Sequence, residues 1–340
     1  MYTDIKYEEL LTKFSRKEYL LIDVRTPLEY MEETIPGSIN LPVFSNEERA
    51  AIGTAYAKES VEKAKQIGVE AISKRLPDLF SKILELNREY ANLIFFCSRG
   101  GFRSSSIVAL LKSLKINVLK LDGGYKGYRG FINNELPKIS ENVRLVVLYG
   151  NTGTGKTHIL SELRSLEANV IDLEQCANHR GSILGSVGIG KPNSQKMFES
   201  LLYDEISKCD NRIIFIEGES KRIGRSVIPD YFFEKIRDGI HVRITAPMNL
   251  RVENIMSDYV HDTDEELIEA LDHLRKRLGN ETIDNYIIEI SKKNHPIVVE
   301  ELMKNYYDPM YEHNKRNFVF ELENTNSRES AKILLTKYDS

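Results

Sequence analysis

Leu93-Ile94-Phe95-Phe96-Cys97-Ser98-Arg99-Gly100-Gly101-Phe102-Arg103-Ser104 decides how the amino-terminal part of the chain is read. Its apolar run without a polar break predicts a short strand buried on both faces, as in a parallel sheet. Cys97 closes that strand, and a helix is predicted from about Arg103 to Leu114. Gly100 and Gly101 allow the loop to curl, while the positive end of the helix and Arg103 favour a thiolate. In open parallel sheets ligands bind where strands end and helices begin. Cys97 is therefore the candidate nucleophile, with Arg99 and Arg103 beside it. The same cradle suits a persulfide, a selenium adduct or a phosphoryl oxyanion, because each is an anion at that point.

Further strands are expected at Leu20 to Val24, Ile39 to Leu41 and Val118 to Leu121, the last ending in Asp122-Gly123-Gly124. Between them Val61 to Tyr90 is long and amphipathic, and Gly68 and Pro77 are expected to divide it into more than one helix. The pattern is a doubly wound α/β domain over residues 1–138, with Pro137 to Asn142 as the linker.

The second domain, residues 139–340, opens on a strand from Arg144 to Tyr149 that runs into Gly150-Asn151-Thr152-Gly153-Thr154-Gly155-Lys156-Thr157 and a helix to about Arg164. Strand, G-x-x-x-x-G-K-T loop and helix in that order define a P-loop. Backbone amides around Gly150, Gly153 and Gly155 would wrap a diphosphate, Lys156 would supply a point charge, and Thr157 is the candidate Mg2+ ligand. Strands Asn169 to Ile171 and Ile213 to Ile216 end in acidic groups. Asp172, Glu174, Glu217 and Glu219 are candidates for ordering a metal, a water or a nucleophile, with helix capping as the plainer alternative. Arg180, within His179-Arg180-Gly181-Ser182, and Arg222 add cations near the anion. The strand Ile213 to Ile216 lacks the hydrophobic-Asp ending of a vigorous ATPase, so phosphate binding is read here and ATP as a ligand stays open. A helical subregion is expected at about 250–313, then a strand from Phe318 to Leu322 and a last helix.

Composition bounds the function. The chain has 340 residues, 41% of them hydrophobic, enough for two separate cores. The amino terminus has neither a basic nor an apolar leader region and no stretch is long and apolar enough for a membrane span, so a cytosolic location and no membrane partner are expected. Residues 1–140 hold 21 Lys and Arg against 18 Asp and Glu, and the remainder 26 against 33, which gives no global attraction to nucleic acid. Local basic clusters occur at Lys221, Arg222 and Arg225, at Arg275 to Arg277, and at Lys315 and Arg316. Cysteines at 97, 176 and 209 form no C-x-x-C pair and cannot all be paired within the chain, which argues against a cysteine zinc site or a disulfide framework.

At Asp23-Val24-Arg25, Glu29, Ile35-Pro36-Gly37-Ser38-Ile39-Asn40-Leu41-Pro42, Cys97, Arg103 and Leu121-Asp122-Gly123-Gly124 the first domain resembles a rhodanese. One departure stands out. Such rhodaneses commonly place four residues between cysteine and arginine, whereas five separate Cys97 from Arg103, a spacing shared with cysteine-dependent phosphatases. Phe96 stands where those phosphatases usually have His. The whole chain is similar to the tRNA 2-selenouridine synthase family, a rhodanese fused to a P-loop domain. The resemblance is carried by the cysteine loop, Gly123-Gly124-Tyr125-Lys126-Gly127-Tyr128-Arg129, the P-loop, Asp172-Leu173-Glu174, Glu217-Gly218-Glu219-Ser220, Arg277-Leu278-Gly279 and Tyr306-Tyr307-Asp308-Pro309-Met310-Tyr311. It implies replacement of sulfur by selenium at C2 of a tRNA wobble 2-thiouridine, with selenophosphate as donor and an S-geranyl intermediate made from geranyl diphosphate. A selenophosphate-producing enzyme is the partner so implied.

Within that scheme the P-loop is matched to geranyl diphosphate, and Cys97 to selenium, carried as a selenyl-sulfide. Tyr125, Tyr128, Tyr306 and Tyr307 are candidates for stacking on the base. Competing readings are an ATP-dependent tRNA sulfurtransferase, a cysteine phosphatase fused to a small-molecule kinase, and a nucleotide-gated RNA-binding module that would not need Cys97.

Overall fold

The computed structural model describes residues 4–181, 185, 187–210, 213–259, 264–312 and 316–338, with backbone alone at 258, 259, 311 and 312. Ser182, His313, Lys315 and the side chain of Tyr311 lie outside the described residues. The chain divides into two compact units, residues 1–136 and 137–340.

The first unit is built on a parallel sheet. Its strands are β1 (Asp4–Ile5), β2 (Tyr19–Asp23), β3 (Ile39–Asn40), β4 (Asn92–Phe96) and β5 (Val118–Leu121), in the order β1-β5-β4-β2-β3. Ile94 of central β4 pairs with Leu21 on one side and Leu119 on the other. Leu93 through Phe96 are wholly buried, as a central parallel strand requires.

Val61–Glu89 is one continuous helix with Pro77 inside it, so the expected division at Gly68 and Pro77 does not occur. Packing explains this. Ala64, Gly68, Ala71, Leu79, Ile83 and Leu86 form one buried face that runs through both positions. A proline in a helix interior costs about 3 kcal/mol, and burying the three large side chains recovers about 1.5–3 kcal/mol each. The sequence from 137 also departs from a simple linker: helix Gly124–Ser140 continues through Pro137.

The second unit carries a parallel sheet of β6 (Leu145–Tyr149), β7 (Asn169–Ile171), β8 (Ile214–Glu217), β11 (Ile240–Thr245) and β12 (Phe320–Glu323), in the order β12-β11-β6-β8-β7. A two-stranded antiparallel ribbon, β9 (Arg222–Ile223) and β10 (Ser226–Val227), precedes β11. The sheet core joins Val146, Leu148, Ile159, Phe215, Val242 and Leu334. Helices between Met248 and Glu312 form a satellite core around Leu271, Ile283, Ile290 and Leu302. No helix among the described residues is long and apolar enough to cross a membrane.

Candidate functional site

Cys97 follows the last residue of β4 and is 3% exposed. The loop after it is turned so that its carbonyls face donors. Cys97 and Ser98 carbonyls accept from the Tyr125 and Lys126 amides at 2.9 Å each. The Gly100 carbonyl accepts from Lys120 Nζ at 3.2 Å and Ser105 Oγ at 3.3 Å, and the Gly101 carbonyl from the Ser105 amide at 3.1 Å. Among the described residues the amides of Ser98 through Arg103 donate to no backbone carbonyl. Gly124 makes this seating possible: with φ +56, a Cβ there would stand 2.2 Å from the Cys97 carbonyl and 2.5 Å from the Gly100 nitrogen.

The sulfur is met by the Arg99 and Ser104 amides, and of the loop carbonyls it reaches that of Gly101, at 3.8 Å. Burial alone would push the thiol up. The Ser104 hydroxyl at 3.2 Å, the Ser104 and Arg99 amides and the Arg103 charge outweigh it and hold the thiol below its usual value. Cys176 is pushed well above the ordinary thiol range by burial, and Cys209 to about 11 by burial and nearby acids. All three cysteines are free, and Cys97 alone of them is driven toward thiolate.

Arg103 is oriented by Glu29, to which it donates at 2.6 and 3.1 Å, and by Ser98 Oγ at 2.8 Å. Glu29 is itself fixed as the third residue of a capping box with Thr26. Burial opposes its charge, but the Arg103 pair, the Thr26 amide and the Ser98 hydroxyl bring its carboxyl down to about 2. Arg99 contributes its amide; its side chain is exposed.

The P-loop shows the same inversion. Lys156 Nζ donates to the carbonyls of Gly150 at 2.7 Å and Asn151 at 3.4 Å. Arg251 Nε takes the Thr152 carbonyl at 2.9 Å, Asn254 the Gly153 carbonyl at 2.8 Å, and Asn324 the Thr154 carbonyl at 2.9 Å. Arg251 is held by a two-pronged pair with Asp308 at 2.9 and 2.6 Å, and Asp308 also accepts from Asn151 at 3.0 Å.

Lys156, Thr157, Arg180, Glu174, Glu217 and Glu219 line one cleft with the loop glycines Gly153 and Gly155. Gly181 closes it: a Cβ there would lie 2.7 Å from a Glu174 oxygen and 2.8 Å from a Glu219 oxygen. The carboxylates are short of counter-charge. Burial, then repulsion from Glu219, pushes Glu174 up to about 8 against the pull of Lys156. Burial, then Asp172 and Glu174, raises Glu217 well above the carboxylate range; burial likewise raises Glu219 and Asp172. Glu217 Oε1 accepts from the Glu174 amide at 2.8 Å, but among the described residues its buried Oε2 has no hydrogen-bond partner.

Three expectations are corrected. Arg222 is exposed on β9 and does not line the cleft, because the alternation of the ribbon gives the inward place to Ile223. Asp172 caps helix Leu173–Ala177 by accepting from the Gln175 amide at 2.7 Å, so its plainer reading holds. The four tyrosines are core residues, at most 8% exposed. Arg25 lies 4.3 Å over the Tyr125 ring, Tyr128 packs on Tyr7 at 4.7 Å and Tyr306 on Tyr307 at 5.0 Å. Among the described Phe and Tyr residues the exposed rings are Phe102 at 81%, where the cysteine loop enters its helix, and Tyr56 at 64%. Of the basic clusters, Lys221 pairs with Asp230, Arg275 with Asp272 and Asp284, and Arg277 donates to Tyr306. Arg316 instead lies 4.1 Å over the Tyr149 ring and acts on Glu219.

A thiolate-cradling loop on a rhodanese-like sheet and a P-loop on a second parallel sheet define a two-domain group-transfer protein. Known proteins agree. The rhodanese-like domain family matches residues 6–130, and the family described as the tRNA 2-selenouridine synthase AAA domain matches residues 143–337. A tRNA 2-selenouridine synthase of Nitrosomonas eutropha (strain DSM 101675 / C91 / Nm57) is 37% identical over 76% of this chain and 67% of its own length. Proteins of the same name from Nitrosomonas europaea and Bdellovibrio bacteriovorus are each 30% identical, over 86% and 91% of this chain and 88% and 92% of their own. The chain belongs to the tRNA 2-selenouridine synthase family.

Proposed function

We propose that the protein replaces sulfur by selenium at C2 of the wobble 2-thiouridine of tRNA. It does so in two steps, with geranyl diphosphate and selenophosphate as co-substrates. The observation that carries this reading is the presence, in one chain of this family, of two anion cradles with different chemistry. One presents a buried nucleophilic sulfur, the other a lysine and a row of amides.

A C2 thiocarbonyl is a poor leaving group, and alkylation on sulfur makes it a good one. In the first step the thiocarbonyl sulfur attacks geranyl C1, the C1–O bond breaks, pyrophosphate departs and the N3 proton passes to solvent. Lys156 and the amides of Gly153 and Gly155 would receive the charge that develops on the departing diphosphate. The residues fit a divalent cation held jointly with that diphosphate. The cleft carries an unpartnered carboxylate oxygen at Glu217 and raised carboxyls at Glu174 and Glu219, yet no closed cluster of metal ligands exists among the described residues. Mg2+ there would be held by Thr157 and these carboxylates and would neutralise the leaving group. In the second step the selenium of selenophosphate displaces geranylthiolate at C2. Cys97 and Arg103 serve this step, with Arg99 contributing its amide and Phe102 offering an exposed ring to the base.

The test is nucleoside mass spectrometry of 2-thiouridine tRNA incubated with the protein and both co-substrates. Conversion to 2-selenouridine that requires each co-substrate supports the reading. Unchanged tRNA bound to folded protein would move the phosphatase reading to the front; uptake of sulfur with ATP consumption would favour a sulfurtransferase.

A further inference from the structure

The cysteine loop is a phosphoryl cradle as much as a chalcogen cradle. Its carbonyls are taken from outside by Lys120, Ser105, Tyr125 and Lys126. Its amides from Ser98 to Arg103 have no backbone acceptor among the described residues, and the helix Phe102–Ser113 begins at the same place. Five residues separate Cys97 from Arg103, one more than a rhodanese loop commonly holds. Wholly buried Ser104 donates its hydroxyl to Sγ at 3.2 Å, the contact that makes a thiolate a better leaving group. Glu29, the carboxylate that the loop touches, is kept ionised by Arg103, so it has no proton to give a departing alkoxide.

Resting on the proposed selenium transfer, we infer that Cys97 is a phosphoryl acceptor: its sulfur takes the phosphoryl group off selenium, and water then takes it off sulfur, with Ser104 as a catalytic residue. Once selenium has displaced geranylthiolate, C2 bears an Se–P bond. Cys97 Sγ attacks phosphorus; the Sγ–P bond forms, the Se–P bond breaks, and its electron pair goes to selenium as the base becomes the selenocarbonyl and takes a proton at N3. Water next attacks phosphorus, the Sγ–P bond breaks, and inorganic phosphate leaves with the thiolate restored. Selenium stays at the selenide level and phosphorus stays pentavalent throughout. A selenyl-sulfide at Cys97, by contrast, requires removal of two electrons from thiolate and selenide, and no oxidant is part of the reaction. The scheme also fits the ionised Glu29, because the departing selenium needs no proton, its charge passing to N3 where solvent protonates it, whereas a departing alkoxide oxygen would need one from a neighbouring acid.

The full-length protein is incubated with S-geranyl-2-thiouridine tRNA and selenophosphate radiolabelled at phosphorus, and the quenched protein is read for label and the tRNA for 2-selenouridine. Label on Cys97 that accumulates in Ser104→Ala, with turnover slowed about 10- to 100-fold and restored by Ser104→Thr, supports the role; Cys97→Ser carries none. Selenium without phosphorus on Cys97, or 2-selenouridine formed at the normal rate by Cys97→Ser, overturns it and leaves the proposed function standing. Labelled Cys97 with no 2-selenouridine overturns the function and keeps the phosphoryl transfer, and neither product in the wild type overturns both.

Discussion

The two loops are built alike and charged differently. Each follows a central strand, β4 or β6, whose last four residues are buried and carry apolar or aromatic side chains, and each has carbonyls taken by donors from other elements. Around Cys97 the charges balance: Glu29 is answered by Arg103, and the thiol is held low. Around Lys156 they do not, since Glu174, Glu217 and Glu219 are all raised, burial being the first cause at each. A balanced cradle is ready to act on its own sulfur. An acid-rich cleft is completed by a cation, and a P-loop meets cations together with phosphates.

Removing Lys156 should separate the loops most sharply. Lys156→Ala is expected to lower geranylation about 100- to 1000-fold in a product assay, while the conversion of supplied S-geranyl tRNA proceeds; equal loss of both steps would show that the loops are not independent. Next in size is Asp308→Ala, which strands Arg251, 7% exposed on its side chain. Denaturant unfolding should show the second unit weakened by about 3 kcal/mol, with thiol reactivity at Cys97 unmoved.

A smaller effect is expected at Glu29. Its carboxyl lies at about 2 against an ordinary 4.5, so the stability it adds is present above 4.5 and lost as pH falls toward 2. Glu29→Gln should flatten that acid limb by on the order of 1 kcal/mol in pH-dependent unfolding, and should lower the thiol further by freeing Arg103. The opposite sign holds at Glu174. A carboxyl raised to about 8 stabilises the fold below 4.5, and that contribution is lost as pH rises through 8. Glu174→Gln should remove this alkaline slope and, in calorimetry with Mg2+ and pyrophosphate, the rise of affinity with pH.

What could be read from sequence follows from which signals are local. The uniform apolar runs of β4 and β6 and the glycine loops after them announce themselves in a dozen residues, and Cys97, Arg103, Lys156 and Glu174 stand where that reading puts them. β11 left no expectation. Ile240-His241-Val242-Arg243-Ile244-Thr245 alternates weakly, with Val242 and Ile244 buried and Arg243 alone of the six exposed, and its place beside β6 is a tertiary fact. The donors that hold the P-loop, Arg251, Asn254 and Asn324, are about a hundred or more residues from the carbonyls they take. Nor does the pattern around Pro77 or the four tyrosines say what packing will cover; burial overrode helix propensity in the first and ring exposure in the second.

The most direct test of this division of labour is a time course of tRNA nucleosides, resolved by mass spectrometry, for the wild type, Lys156→Ala and Cys97→Ser with both co-substrates present. The account predicts that Lys156→Ala stays at 2-thiouridine and that Cys97→Ser stalls after S-geranyl-2-thiouridine has formed. Geranylation retained by Lys156→Ala with selenation alone lost would contradict it.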